Sequence, residues 1–216
     1  KFDEKINLNI NKENYLEFKD SKEAQEWGET NYKYWAEKYK KYMQMAKDVV
    51  KTSFCTAPLE CYCGYSYRQV NQFLRYGIDY KHNTYRELSD ILSLVLCTAP
   101  RISCNLVLYR MVNDNFIDML VEKNTQETPT PVQEKGFMST SLLKDITNEN
   151  ESYAAESNLL KIFVPQNTIG VYVNAVVRRS EEEMLLFPNM YLGLASYPYK
   201  DEETGKMIFE CKLINF

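Results

Sequence analysis

The sequence predicts an α+β protein in which helices come first and short strands follow. Apolar residues three and four apart, the spacing of an amphipathic helix, dominate the N-terminal half. Short apolar runs bounded by polar turns dominate the rest and are typical of strands. The 216 residues are enough for one well-buried core. We therefore expect a single domain, 1–216, with an N-terminal helical part at 1–55 and a strand-rich core at 56–216.

Composition argues against several classes of function. A net charge of −4 and a pI near 5.3 are unlike a nucleic-acid-binding surface. No apolar run approaches the roughly 18 residues of a membrane span. The six cysteines lack the two-residue gap of a zinc knuckle, so no metal is expected, while disulfides and free thiols both remain open. The chain begins with Lys1, which is consistent with removal of a leader or an upstream domain.

The first predicted helix follows a loose, Asn- and Lys-rich arm of about a dozen residues. Asp20 is a candidate N-cap, with Glu23 completing a capping box. Gly28 predicts a break in the helix. A stripe of mostly aromatic residues runs along this segment, and we interpret it as core packing. It contains Ala24, Trp27, Tyr32, Trp35, Tyr39 and Tyr42.

Three short elements are predicted next: a strand at 59–64 and helices at 66–75 and 85–96. On the first of these helices Tyr67, Asn71 and Arg75 lie four residues apart and share one face. That face could bind a polyanionic ligand or simply be solvated, and spacing alone leaves both readings open.

The remaining predicted strands are 102–111, 136–141, 159–164, 170–177, 184–187 and 206–216. Polar loops are expected at 123–134 and 144–157. Arg110 lies at the end of the first of these strands, where a fixed stem and an exposed guanidinium suit bidentate phosphate binding.

Three acidic residues run directly into the strand at 184–187. The period of two places Glu181 and Glu183 on one side and Glu182 on the other. Two carboxylates on one rim of a sheet suit general-base catalysis or stabilisation of positive charge on a sugar carbon. The alternative interpretation is a solvated charge run beside an edge strand.

Three motifs in chain order resemble the Arg, Ser-Thr-Ser, Glu-x-Glu signature of mono-ADP-ribosyltransferases: Arg110, then Ser139-Thr140-Ser141, then Glu181 with Glu183. Residues 22–35 and 64–75 also resemble the N-terminal helices of the enzymatic components of clostridial binary toxins, iota-like, and of related Rho-modifying exoenzymes. The resemblance implies the ADP-ribosyltransferase fold, in which N-terminal helices pack on a two-sheet β core with an NAD cleft. It also implies NAD as the substrate and no metal.

The resemblance assigns roles in NAD binding. Arg110 is expected to bind phosphate or ribose, and the backbone of Gly136 the nicotinamide amide, which a residue without Cβ can approach closely. The helix row of Tyr67, Asn71 and Arg75 matches positions that contact NAD in binary-toxin relatives. Ser139 is expected to bond the nicotinamide-side ribose and to hold the catalytic glutamate, with Thr140 and Ser141 supporting the cleft wall.

The two glutamates receive different roles. Glu183 takes the catalytic place, where it bonds a ribose hydroxyl and stabilises an oxocarbenium-like transition state. In this family a glutamate at the place of Glu181 accompanies arginine acceptors, and a carboxylate can both pair with a guanidinium and remove its proton.

The sequence departs from the family pattern in three places. Met111 stands where many relatives have a second arginine, and 155–158 lack the arginine often found before the next strand, with Lys144 a weak substitute. The turn at 177–180 lacks the usual aromatic and carries Arg178 and Arg179.

The resemblance implies a secreted toxin or effector that acts in the host cytoplasm on a host protein, with actin favoured. A small GTPase or ubiquitin as acceptor, or an inactive member that only binds a partner, are the alternatives. A separate translocation component or an upstream domain is a further expected partner.

Overall fold

The computed structural model describes residues 10–51, 53–145, 157–179 and 181–215. Within these ranges helices dominate the N-terminal part and strands the C-terminal part, which confirms the α+β prediction. Three sequence predictions fall wholly or partly outside the described residues: the arm before residue 10, most of the loop at 144–157, and Ser180.

The helices are α1 (Ser21–Val49), α2 (Ser53–Thr56), α3 (Pro58–Cys61), α4 (Tyr67–Tyr76), α5 (Thr84–Thr98) and α6 (Asp114–Thr125). A π-helical turn, Tyr62–Ser66, joins α3 to α4. The strands are β1 (Leu106–Val112), β2 (Val132–Glu134), β3 (Met138–Ser141), β4 (Asn158–Val164), β5 (Gly170–Tyr172), β6 (Glu183–Leu186), β7 (Met190–Leu194), β8 (Tyr199–Lys200) and β9 (Met207–Ile214).

Helix α1 begins at the predicted cap, where Asp20 accepts the backbone N–H three residues later at 2.9 Å. It runs unbroken through Gly28, so the predicted break is wrong. Packing explains this glycine, since a Cβ there would lie 2.5 Å from ring atoms of Tyr172. One turn later the Tyr32 hydroxyl donates to the Gly170 carbonyl at 3.1 Å. Helix α1 is therefore fastened to β5.

The predicted aromatic stripe forms most of the buried face of α1. Tyr32, Trp35 and Tyr39 are buried, Trp27 is partly buried, and Tyr42 lies on the surface. The Trp35 indole donates to Thr98 at 3.0 Å, which links α1 to the end of α5. The interpretation as core packing is therefore confirmed except at Tyr42.

The strands form one mixed sheet in the order β2-β7-β9-β4-β1-β3-β6-β5, with β8 paired to the beginning of β9. Only the β4–β9 pairing is parallel among the described strands. The sheet has two groups of strands that meet between β1 and β3 through the single pair Tyr109 and Ser141. The main core lies between the helices and this sheet, and a smaller apolar cluster around Tyr109 and Phe163 covers the other face.

Several sequence predictions are corrected. The expected strand at 59–64 is helical, because Pro58 occupies the first helical position of α3 and Leu59 and Tyr62 are buried at helical spacing. The expected loop at 123–134 contains the end of α6 and strand β2. The expected strand at 170–177 ends at Tyr172 in a short 3-10 turn.

No helix within the described ranges is both long enough and apolar enough to cross a membrane. All six cysteines are free thiols.

Candidate active site

Glu183 is the deepest acidic residue of the candidate site. It begins β6, and its side chain and that of Ser139 lie on the same face of the paired strands β3 and β6, one diagonal position apart. The Ser139 hydroxyl donates to Glu183 Oε1 at 2.5 Å. The residue is only 2% exposed. A carboxylate held this way has one oxygen fixed and one left for another partner.

The second oxygen of Glu183 faces Arg179. The Arg179 Nε lies 3.1 Å from Glu183 Oε2, which makes an ion pair. The geometry is not that of a hydrogen bond, so this buried oxygen accepts no hydrogen bond from the described residues. Arg179 also donates from Nη1 to the Cys63 carbonyl at 3.2 Å. Its guanidinium therefore connects Glu183 of β6 with Cys63 of the π-helical turn.

Asn71 fastens α4 to the start of β3. Its Nδ2 donates to the Tyr62 hydroxyl at 3.0 Å and to the Phe137 carbonyl at 3.2 Å, while its Oδ1 accepts the Phe137 N–H at 2.9 Å. Gly136 lies against this amide, and a Cβ there would be 2.7 Å from Asn71 Oδ1. Because both amide protons of Asn71 are engaged, its geometry is that of a positioning residue.

Arg75 is held by Glu134 at the end of β2. Arg75 Nε and Nη2 each lie 2.9 Å from one Glu134 oxygen. The same carboxylate accepts the Gly136 N–H at 2.8 Å. Glu134 is buried, so its charge is compensated by the guanidinium rather than by water. The Gly136 N–H is thus already bonded within the protein.

Arg110 and Tyr67 line the space between these walls. Arg110 donates from Nη1 to the Ser139 carbonyl at 2.8 Å, which fixes the guanidinium beside β3. The Tyr67 hydroxyl accepts from Arg68 Nε at 2.9 Å.

The cleft bounded by these residues has a volume of about 460 Å³. Its lining is Tyr62, Cys63, Gly64, Tyr67, Arg68, Asn71, Arg75, Arg110, Phe137, Ser139, Arg179 and Glu183. A second cavity of about 610 Å³ also has Arg75 and Arg110 in its lining and extends along α6. The two spaces together suit an elongated ligand with a phosphate-bearing middle.

Four sequence-predicted site residues do not line this cleft. Thr140 donates to the Met184 carbonyl at 2.7 Å and ties β3 to β6. Ser141 and Glu181 line a neighbouring cavity of about 590 Å³. Gly136 lies behind the cleft, against Asn71.

Glu181 has an unusual electrostatic environment. Burial raises the pKa of its carboxyl, the negative charge of Glu183 raises it further, and Arg179 opposes both effects. The adjacent Glu182 turns away from the cleft: it accepts from the Ser21 hydroxyl at 2.9 Å and from the Tyr172 hydroxyl. Only Glu183 belongs to β6, and Glu181 and Glu182 both line the neighbouring cavity, so the three acids do not divide as the predicted period of two requires.

The chemistry of the donor set fits NAD. The guanidinium groups of Arg75 and Arg110 line both cavities and are suited to a pyrophosphate, and the buried Glu183 carboxylate is suited to a ribose hydroxyl. Lys144, the weak substitute for the absent arginine, is instead paired with Asp201 at 3.1 Å and with Glu203. The described residues contain no group of three or more His, Cys, Asp or Glu arranged to hold a metal ion.

The predicted site residues do not include six that line the cleft, which are Tyr62, Cys63, Gly64, Arg68, Phe137 and Arg179, nor Glu134, which holds Arg75. Glu134 fell inside an expected loop, Cys63 inside an expected strand, and Arg179 was noted only as part of a turn. Phe137 lies two residues before the Ser-Thr-Ser motif, and its backbone N–H and carbonyl are both bonded to the side-chain amide of Asn71. Only Arg179 carried a signal, since an arginine four residues before a catalytic carboxylate is an available ion-pair partner.

Comparisons with known proteins agree with this geometry. Residues 24–192 match the family model of the ADP-ribosyltransferase exoenzymes. No curated protein sequence matches the chain.

Similar solved structures share the fold at low identity. The ADP-ribosylating toxin BECa of a binary enterotoxin of C. perfringens, solved with NADH, is 21% identical with a TM-score of 0.72, over 93% of this chain and 50% of that one. Plx2a, an ADP-ribosyltransferase toxin from Paenibacillus larvae, is 17% identical with a TM-score of 0.66, and the match covers 93% of this chain and 100% of that one. The Clostridium limosum C3 exoenzyme is 16% identical with a TM-score of 0.65, over 93% and 98%.

The present chain thus spans half of the binary-toxin chain and nearly the whole of the two others. The family match covers most of the chain, including both walls of the cleft, and on this ground the chain belongs to the ADP-ribosyltransferase exoenzyme family.

Proposed function

We propose that the chain transfers ADP-ribose from NAD to an arginine of a host protein and releases nicotinamide. The observation that carries the proposal is the buried carboxylate of Glu183, held by Ser139 and paired with Arg179 in the lining of a cleft that also contains Arg75 and Arg110. In this proposal residues 1–216 act as one catalytic domain of a secreted toxin, with the helical part at 1–55 and the catalytic core at 56–216.

NAD binding rests on the two guanidinium groups. Arg110 is oriented by the Ser139 carbonyl and Arg75 by Glu134, so each presents its remaining N–H groups in a fixed direction. Tyr67 supplies a wall of the cleft. Asn71 and Gly136 act indirectly, by fixing the start of β3, and Thr140 and Ser141 act by holding β3 in place.

Cleavage rests on Glu183. The nicotinamide–ribose bond breaks with its electron pair leaving on nicotinamide, and positive charge develops on the ribose. A carboxylate that bonds a ribose hydroxyl stabilises this charge, more effectively in a buried site than in water. Ser139 keeps the carboxylate aimed at the ribose.

Acceptor choice rests on Glu181. A carboxylate whose pKa is raised by burial and by the charge of Glu183 is a better base than an ordinary glutamate, and it can also pair with an incoming guanidinium. This supports arginine as the modified residue.

Actin is the favoured acceptor, because the N-terminal helices and the Glu-x-Glu motif resemble binary-toxin components and the fold is similar to BECa. Another acceptor, such as a small GTPase, is the second candidate, since the chain also matches the C. limosum C3 exoenzyme over 98% of that chain. We propose the host cytoplasm as the site of action, reached with a separate translocation component or an upstream domain.

Labelled NAD added with the purified chain to a host-cell lysate tests the proposal. We expect one main labelled protein, with ADP-ribose on an arginine in its mass spectrum. A labelled band at the size of actin supports the first acceptor, and one at the size of a small GTPase supports the second. Calorimetry that shows no NAD binding would instead identify an inactive, partner-binding member of the family.

A further inference from the structure

Arg179 places a guanidinium inside the cleft where the proposed chemistry takes place. It lies on the turn that follows the 3-10 segment after β5 and is only partly exposed. Its Nε pairs with Glu183 at 3.1 Å and its Nη1 donates to the Cys63 carbonyl. Its neighbour Arg178 is exposed and does not line the cleft. The guanidinium of Arg179 is therefore held on one side by Glu183 and on the other by the Cys63 carbonyl.

The contact with Glu183 defines how close Arg179 is to the reacting carbon. Glu183 is the group proposed to bond a ribose hydroxyl, so the reacting ribose carbon must lie within a few bond lengths of its carboxylate. A guanidinium in direct contact with that carboxylate occupies the same neighbourhood. The second terminal nitrogen, Nη2, takes part in neither of the two contacts.

A base for this guanidinium is also nearby. Burial acts to lower the pKa of Arg179, but the negative charges of Glu183 and Glu181 outweigh it, and its pKa is raised. Removal of its proton therefore needs a neighbouring carboxylate. Glu181 interacts electrostatically with Arg179 and has a raised pKa of its own. Within its own chain, Arg179 thus interacts with the two carboxylates, Glu181 and Glu183, that are proposed to act on an acceptor arginine and on NAD.

We propose that Arg179 is a site of self-modification, at which the chain attaches ADP-ribose from NAD to its own guanidinium. The inference rests on the proposed arginine-directed transfer. In the reaction the nicotinamide–ribose bond breaks and neutral nicotinamide leaves with the electron pair. A bond forms between a terminal nitrogen of Arg179 and the ribose carbon. The displaced guanidinium proton passes to Glu181 and then to water, so NAD and the arginine give ADP-ribosyl-arginine, nicotinamide and one proton.

Two consequences separate this reaction from ordinary transfer. Because the acceptor is part of the same chain, its rate per molecule does not depend on protein concentration, and a well-oriented intramolecular reaction needs no encounter step. The attached group stays next to Glu183, so modified molecules lose the space in which a new NAD binds. Turnover should therefore slow as modification accumulates.

The test is incubation of the purified chain with NAD and no acceptor protein, followed by peptide mapping with a fragmentation method that locates ADP-ribose. We expect modification of Arg179 that approaches one group per chain, with the same time course over a hundredfold dilution of the protein. Arg178→Lys is the matched control, because it removes the exposed neighbour and leaves Arg179 as the only arginine of the pair. It should keep the modification, and Arg179→Lys should lose it from this peptide.

Nicotinamide release in the same samples separates the two proposals. Nicotinamide release without ADP-ribose on Arg179 would refute self-modification and leave the proposed function standing. Modification confined to other residues, or a rate that rises with protein concentration, would also refute it. No nicotinamide release, with or without an acceptor, would overturn the proposed function and this inference with it.

Discussion

At the residue scale, the three consecutive acids have three different environments. Glu183 is held by Ser139 and faces the cleft, Glu182 bonds to Tyr172 behind it, and Glu181 lies in the adjacent cavity. Glu183 begins β6, whereas Glu181 and Glu182 precede the strand and both line the neighbouring cavity. Their chemical roles should therefore be separable by single substitutions.

Replacing Glu183 with Gln should reduce nicotinamide release by about 10²–10³-fold, because the amide lacks the charge that stabilises the developing positive ribose. Glu182→Gln is the matched control. An amide oxygen can still accept from Tyr172, so activity should stay near wild type, with a loss of stability on the order of 1 kcal/mol. Nicotinamide release and thermal unfolding measure the two effects. Loss of activity in the Glu182 variant would show that the assignment is shifted by one residue.

Glu181→Gln should reduce transfer to an acceptor arginine by about 10²-fold or more while retaining much of the NAD hydrolysis, because the amide cannot take a proton. The measurement is the ratio of the two rates in one preparation. Equal loss of both would place Glu181 in bond cleavage instead.

The pH dependence of stability should report on the same carboxyl. The pKa of Glu181 is raised in the folded state, so between the unfolded and the folded pKa the folded chain binds more protons than the unfolded one. Stability therefore falls as the pH rises from the ordinary glutamate pKa through the raised pKa of the folded state. The Gln variant should therefore be more stable than wild type at neutral pH, and the difference should vanish below the ordinary glutamate pKa. Thermal unfolding of both proteins across this range is the measurement, and a constant difference would contradict it.

At the element scale, helix α1 packs against β5, next to the strand that begins with Glu183. Gly28 lets the helix approach the Tyr172 ring, and the hydroxyl of this ring bonds to Glu182, one residue before Glu183. Helix α1, which carries none of the proposed catalytic residues, thus lies two contacts from the proposed catalytic carboxylate.

Gly28→Ala should destabilise the protein by about 1–3 kcal/mol, because the added methyl group overlaps the Tyr172 ring. For a chain of this size that corresponds to a fall in Tm of very roughly 2–12 °C. Gly64→Ala is the control for stability, since a Cβ there meets nothing within 4 Å. Equal melting temperatures for wild type and the Gly28 variant would show that the ring moves aside at no cost.

Elements with a strong local signal were predictable from the sequence, and those defined by tertiary contacts were not. The cap at Asp20 and the strand at Leu159 carry their own pattern. Gly28 has a low helix propensity, and only the ring of Tyr172 explains its place within a helix. Strand β2 has three residues and exists because β7 pairs with it, so nothing local could reveal Glu134 as the partner of Arg75.

At the scale of the whole molecule, the sheet is divided into unequal groups of strands. Strands β4 and β9 lie inside the larger group, with six paired residues between them. Strands β3, β5 and β6 form the smaller group and carry Ser139 and Glu183. One residue pair joins the groups within the sheet, so the helices supply much of the attachment of the smaller group.

Hydrogen exchange should show this division. We expect amides of β3, β5 and β6 to exchange faster than those of β4 and β9 in the free protein, because fewer strand pairings protect them. NAD at 100 times its Kd adds about 2.7 kcal/mol of stability, which should slow exchange mainly in the smaller group. Mass spectrometry of deuterium uptake with and without NAD is the measurement. Uniform slowing of all strands would contradict the division.

The fastening of α1 to β5 has a mechanical consequence. When the chain is pulled from its N-terminal end, the contacts of the segment before α1 break first, including the backbone hydrogen bonds of Leu16 with Asn105 and Val107, and α1 is then pulled away. The support behind Glu183 then disappears while β4 and β9 are still paired. An enzyme threaded through a narrow passage in this direction would lose the support of Glu183 before β4 and β9 separate, and on emerging it would regain activity only when α1 had docked again.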